Sequence, residues 1–262
     1  MNSDKYSFEL LTPTLCHGAF PKEEAELREP SIRGHLRRWH TLLWGEDDTA
    51  WCWGNAGKNS SASKVVLRLS RPEKEQTGQT SFLPHKKYGG TEVPALLPIQ
   101  NKYTLNVSFR YLQNNTEDIP DRVRKTIRCW LLMGTVGQRS SRAFGSVWPS
   151  DDPPATPDAL EKELLDLLAD CDYAFRLSPR INGLPDMKLC TNTLQGASNE
   201  VFFGYVKGRE RKTSPLKMKF VRLNGVYYLL LHAQKMETIN GALRVLQQAG
   251  KPLGQLFAGT RK

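Results

Sequence analysis

Gly134-Thr-Val-Gly-Gln-Arg-Ser-Ser-Arg-Ala-Phe-Gly-Ser146 follows directly on a segment of helical period that begins at Asp121. In that segment Val123, Ile127, Trp130 and Leu131 make one apolar face, and Arg124, Lys125 and Arg128 lie off it. Apolar residues three and four apart bury one side of a helix. In the loop, Gly134 is placed to end the helix in the left-handed region. Gly137 and Gly145 let backbone approach a ligand closely, Arg139 and Arg142 bring charge, and Phe144 offers a stacking surface. A nucleotide-phosphate loop fits poorly: GxxxxGK[ST] is absent, and a dinucleotide fingerprint follows a strand and opens a helix, whereas this loop follows a helix.

Upstream, Tyr103 to Leu112 alternates with Leu105, Val107 and Phe109 on one side, and Lys64 to Ser70 reads as a second strand. Tyr6 to Pro13 is a third, stopped by its proline. Between them, Pro30-Ser31 opens a helix with Ser31 as N-cap, and Ile32, Leu36, Trp39 and Leu43 form its core face up to Trp44-Gly45. Arg33, Arg37 and Arg38 lie off that stripe, and the i, i+4 pair Arg33 and Arg37 suits consecutive phosphates. Residues 71–101, rich in Pro, Gly, Lys and Gln, form a long excursion.

Downstream, Pro149-Ser-Asp-Asp-Pro-Pro-Ala-Thr-Pro157 divides the chain into units 1–150 and 151–262. An acidic helix follows from Asp158 to about Ala169, then strands at 172–177, 201–206, 216–223 and 226–233 and a helix near 238–249. Asn224-Gly225 joins the last two strands as a type I′ hairpin. Strands and helices thus alternate in both halves, an α+β pattern.

Charge is unevenly spread over the 262 residues, whose net is +10. Residues 1–150 hold 21 basic and 15 acidic side chains, 151–173 hold one lysine and eight acids, and 174–262 hold 15 basic and four acidic. The basic blocks suit a polyanion bound through phosphate contacts. One of them, Lys207-Gly-Arg-Glu-Arg-Lys-Thr-Ser-Pro-Leu-Lys-Met-Lys219, leads into the hairpin and presents Lys212. Five cysteines without a CxxC pair argue against a disulfide framework or zinc ribbon and fit a reducing cytoplasm, so no metal is expected. No apolar run approaches the ~18 residues of a membrane span and no secretory pattern opens the chain, so no membrane partner is expected.

Taken together these segments resemble the RAMP superfamily of CRISPR-associated RNA-binding proteins. The chain is most similar to the first-subunit family of type III-B (Cmr) effector complexes. The resemblance rests on Leu11-Thr-Pro-Thr14, Arg28 through Trp39 around Pro-Ser-Ile-Arg-Gly, Ala62-Ser-Lys64, Gly137 through Ser146 and Thr213-Ser-Pro-Leu216, in that order. It implies two tandem ferredoxin-like (RRM-like) domains, no bound cofactor, and guide RNA, complementary target RNA and other RAMP subunits as partners. Arg33, Arg37, Arg38, Gly137, Arg139, Arg142, Phe144, Gly145 and Lys212 are the candidate RNA contacts. Arg33, Arg37, Arg139 and Arg142 are expected to converge on one groove.

The rival reading is a metal-independent endoribonuclease that processes repeat RNA. It needs a base near the attacking 2′-hydroxyl and a cation at the phosphate, for which His35 and His40 are the candidates. Asp47 and Asp48 follow the first helix and are weaker candidates for target cleavage. A structural adaptor whose basic surfaces meet acidic subunits is the third possibility.

Overall fold

The strand that starts the chain becomes the inner strand of an antiparallel sheet because its apolar residues find partners on both sides. The computed structural model describes residues 3–17, 24–56, 60–81, 92–110, 118–191, 200–207 and 209–258. Its first half holds β1 (Asp4–Leu10), α1 (Glu29–Trp44), α2 (Glu46–Trp53), β2 (Val65–Ser70), β3 (Thr77–Ser81), β4 (Glu92–Leu96), β5 (Lys102–Phe109), α3 (Ile119–Met133) and β6 (Val147–Pro149). The main sheet runs β2-β5-β1-β6, antiparallel throughout, and β3 pairs with β4 separately. Phe8 on β1 sits opposite Tyr103 on β5, their rings stacked at 5.4 Å, and meets the Trp130 edge of α3 at 5.5 Å. Ile32, Leu36, Trp39 and Leu43 of α1, and Val123, Ile127 and Trp130 of α3, are buried in this core. Each such aliphatic side chain contributes roughly 1.5–3 kcal/mol by leaving water.

Helix α1 starts with Pro30 in its first turn, and Ser31 makes no cap bond: the N-cap is Arg28. Gly134 ends α3 with φ −84°, extended rather than left-handed. A glycine is required there for space, since a Cβ would come within 2.2 Å of the Trp130 ring. Within the excursion at 71–101 the described residues include the β3–β4 pair, and α2 is a helix that the sequence patterning did not announce.

The second half holds α4 (Pro157–Leu167), β7 (Ala174–Leu177), α5 (Met187–Thr191), α6 (Glu200–Phe203), β8 (Tyr205–Lys207), β9 (Glu210–Lys212), β10 (Lys217–Leu223), β11 (Val226–Ala233), α7 (Met236–Gln248) and α8 (Pro252–Leu256). Its sheet runs β10-β11-β7, three antiparallel strands among the described residues. Asn224 and Gly225 both take positive φ, 46° and 80°, which matches the expected tight hairpin. The strand expected at 201–206 is instead α6 followed by β8, which among the described residues pairs with β9 alone. Packing overrides local pattern here: Phe203 is buried, and Phe202 lies against Gly241 of α7, where a Cβ would fall 2.3 Å from its ring.

Across the 149–157 segment the interior is continuous. One core cluster contains Phe8, Trp130 and Trp148 from the first half and Leu160, Leu164, Val221 and Leu230 from the second. Polar contacts reinforce it. Lys219 Nζ donates to the Leu131 carbonyl at 2.6 Å, Phe220 N donates to Ser146 Oγ at 3.0 Å, and Arg222 pairs with Glu9. No helix among the described residues is long and apolar enough to cross a membrane.

Candidate nucleic-acid interface

Three of the segments singled out in the sequence meet at one cleft of about 650 Å³. From α1 come His35, Arg38 and Trp39; from the Gly-rich loop Gly134, Thr135, Ser140 and Ser141; from the loop before β10 Thr213, Ser214 and Lys217. Tyr173 enters from the segment before β7, and His232 and Lys235 from the end of β11 and the N-cap of α7. Among the described residues the lining thus holds an arginine, two lysines and two histidines among many hydroxyls, with no Asp or Glu. A concave surface of that composition holds anions.

Arg38 is exposed, and among the described residues it has no hydrogen-bond or ion-pair partner. Its uncompensated charge is felt by its neighbours. Burial, then Arg38 and Arg142, push the Lys217 amine down to about 8. Burial and then Arg38 push His35 down to about 4, so it is neutral at pH 7. His232 is depressed by burial first and then by Lys219, Lys217 and Arg38. The Tyr173 hydroxyl lies 2.7 Å from His232 Nδ1, and the Trp39 ring packs against both, edge-on to Tyr173 at 5.7 Å and tilted to His232 at 5.9 Å.

The expected convergence of Arg33, Arg37, Arg139 and Arg142 does not occur. Arg33 donates to the carbonyls of Trp53 at 2.5 Å and Val65 at 3.4 Å and lies over the Trp53 ring. Arg37 donates to the Gly54 carbonyl at 2.7 Å. Both therefore tie α1 to the end of α2, Arg37 about 100° and Arg33 about 140° around the helix from Arg38. Arg142 is 3% exposed and donates to Ser214 Oγ at 3.1 Å and the Phe203 carbonyl at 3.0 Å, joining the Gly-rich loop to the second half. Arg139 is half-buried with left-handed φ 55°, just before the cleft-lining Ser140 and Ser141. Phe144 is wholly buried beside Leu15 and Ala95, so it presents no stacking face.

Gly137 and Gly145 do allow close approach, but to the chain itself. A Cβ on Gly137 (φ 87°) would stand 2.8 Å from the Leu15 carbonyl, and one on Gly145 (φ 62°) 1.9 Å from the Val136 carbonyl. Lys212 is exposed on β9, next to the cleft-lining Thr213 but outside the lining. Of the two histidines proposed for cleavage, His35 reaches the cleft, while His40 is buried between Thr126 and Asp48. Asp48 is taken by His40 and Arg122, and Asp47 lies exposed on α2. Tyr173, His232 and Lys235 carry no local motif; only the register of β11 on β7 and the start of α7 bring them in.

The family model of the RAMP superfamily matches residues 7–148. The chain belongs to that superfamily. No curated protein matches this RAMP protein in sequence. In structure the RAMP protein is similar to Cmr1 from Pyrococcus furiosus in its apo form, with TM-score 0.60 and 14% identity over 89% of this chain and 88% of that one. It is also similar to a chain of the type III-B Cmr-beta bound to cognate target RNA, with TM-score 0.61 and 12% identity over 93% and 98% of the two chains. A further Cmr-beta structure, with target RNA and AMPPnP in the presence of ssDNA, gives TM-score 0.59 and 12% identity over 94% and 98%. At these identities the likeness is one of fold.

Proposed function

We propose that this chain is a non-catalytic, RNA-binding subunit of a cytoplasmic type III-B CRISPR effector, equivalent to the first Cmr subunit. It holds guide RNA or captures complementary target RNA beside other RAMP subunits, and it is built as two tandem ferredoxin-like domains, 1–150 and 151–262, the second with a reduced sheet. The observation that carries the binding role is the cleft without Asp or Glu among its described lining residues, where Arg38, Lys217 and Lys235 face the same space and Arg38 has no ion-pair partner among the described residues. The family match and the similarity to a chain from a complex bound to target RNA support the setting. Arg38 and Lys217 hold phosphate oxygens, the cleft hydroxyls add neutral hydrogen bonds, and the edges of Tyr173 and Trp39 supply an apolar wall.

The test is fluorescence anisotropy with single-stranded RNA across a salt series. Affinity should fall steeply and linearly on a log–log plot, and Arg38→Ala should weaken binding by about 1.5–3 kcal/mol, the worth of a charged hydrogen bond. Because Arg38 is exposed and unpaired, its removal should leave the melting temperature in place. Binding that ignores salt and survives Arg38→Ala would remove the cleft from consideration. Shortening of the RNA during the assay, abolished by His35→Ala, would favour the endoribonuclease.

A further inference from the structure

A second cluster lies outside the cleft, in the corner between α1 and α2. His40, Asp48 and Cys52 each offer one metal-ligating atom there, all within 4.8 Å of one another. Gly45, at φ 87°, turns the chain between the two helices. Asp48 and Cys52 are four residues apart on α2 and so share a face, which meets His40 on α1. His40 Nε2 is 2.7 Å from Asp48 Oδ2, and Cys52 Sγ is 3.6 Å from the same oxygen.

The surroundings orient these atoms. Thr126 Oγ1 donates to the Arg122 carbonyl at 2.8 Å, which leaves its lone pairs for His40 Nδ1, 3.0 Å away. That arrangement puts the imidazole proton on Nδ1 and turns the Nε2 lone pair toward Asp48. At 2.7 Å the His40–Asp48 pair is at hydrogen-bond distance; zinc bound to both atoms would replace the shared proton and widen the gap to about 3.3 Å. A proton would serve that pair alone, whereas a metal also accounts for a thiol at the third corner. Arg122 holds the other oxygen of Asp48 and is itself paired with Asp118. The charges then close: a divalent ion is balanced by one carboxylate and one thiolate, and Arg122 by Asp118.

The geometry points to a zinc site formed by His40, Asp48 and Cys52 that clamps α2 against α1, with water as the fourth ligand. Imidazole, carboxylate and thiolate are the donors zinc takes, and a partner hydrogen-bonded to the far nitrogen of a ligating histidine is its usual support. The His40 side chain is fully buried and that of Asp48 15% exposed, so the open corner lies on the Asp48 side. On binding, the Cys52 S–H bond breaks, its proton leaves to solvent, and the sulfur electron pair forms the Zn–S bond. A water-held fourth position is the open arrangement of catalytic zinc, but the cluster does not line the cleft, so the role assigned to it is the clamp between the helices.

The full chain, incubated with zinc and desalted, should hold about one zinc per molecule by mass spectrometry of the metal. Replacement by cobalt(II) should give a thiolate-to-cobalt charge-transfer band, lost in Cys52→Ser. Thr126→Val, which leaves all three ligands in place, should lower zinc affinity by about 10–100-fold. Circular dichroism checks that each variant is folded. A folded parent chain that retains no zinc, or a cobalt spectrum unchanged in Cys52→Ser, would overturn the site.

Discussion

Four arginines that look alike along the chain have different work to do. Arg33 and Arg37 satisfy carbonyls at the end of α2, where a lysine could not reproduce the forked geometry. Arg142 is buried between the two halves, and burial lowers its guanidinium to about 10. Arg38, one residue beyond Arg37, lines the cleft and has no ion-pair partner among the described residues. The residue that makes the cleft sensitive to pH is Lys217. Its amine is charged below about 8 and neutral above, so RNA affinity should fall as pH rises from neutrality through that value. Lys217→Arg, charged throughout, should flatten the profile. Stability should move the other way. The folded pKa lies below the ordinary lysine value of 10.5, so between about 8 and 10.5 the unfolded chain binds a proton that the folded chain lacks. Stability therefore rises with pH across that window. Anisotropy titrations and urea melts at matched pH values read both slopes, and an RNA affinity that does not fall above pH 8 would remove Lys217 from the binding set.

At the scale of elements, the Gly-rich loop is a strap laid along the exit of β1. Gly145 N donates to the Pro13 carbonyl at 3.1 Å, Gln138 N to the Leu15 carbonyl at 2.9 Å, and Thr12 Oγ1 to the Ala143 carbonyl at 2.6 Å. Val136 and Gly145 close the strap on itself, Val136 N donating to the Gly145 carbonyl at 2.8 Å. Gly145→Ala would need both a left-handed backbone and a Cβ inside the Val136 carbonyl. It should cost more than about 4 kcal/mol, in the range reserved for severe backbone conflict. Gly225→Ala is the control. Its φ is also positive, at 80°, but a Cβ there meets nothing within 4 Å, so only the left-handed penalty of about 1–2 kcal/mol applies. Urea denaturation of the two variants compares them directly, and equal losses would mean that the strap yields to the added carbon.

For the whole molecule, the decisive feature is the interior shared across 149–157. Leu160, Leu164, Val221 and Leu230 lie in the same cluster as Phe8 and Trp130, and Lys219 is sealed inside with its amine on the last turn of α3. The two halves should therefore unfold in one transition, with the calorimetric enthalpy equal to the van't Hoff enthalpy. A fragment of residues 1–150 alone would expose the apolar surface that Val221 and Leu230 cover and should be insoluble or partly unfolded. Two resolved transitions in the calorimeter would show the halves to be independent instead. The cleft depends on the same union, since α1 and the Gly-rich loop provide one wall and Thr213, Lys217 and His232 the other.

Periodicity alone determined α1, α3, the main strands and the β10–β11 hairpin, because spacing along the chain decides which side of an element is apolar. Composition alone gave the expectation of a polyanion partner, and the ordered motifs from Leu11 to Leu216 carried the family. What those signals lack is direction. Arg37 and Arg38 are adjacent in sequence, yet about 100° of helix rotation sends one to the Gly54 carbonyl and the other into open space. Gly145 and Phe144 read equally well as ligand contacts or as packing, and only the neighbouring Val136 and Leu15 decided for packing. The 201–206 segment has strand-like residues, but burial of Phe203 beneath α7 is worth more than local preference, and it became α6. Tyr173, His232 and Lys235 were illegible for the same reason: their meeting with Arg38 is set by how α1 packs against the β7–β11 strands, a long-range fact that no local pattern encodes.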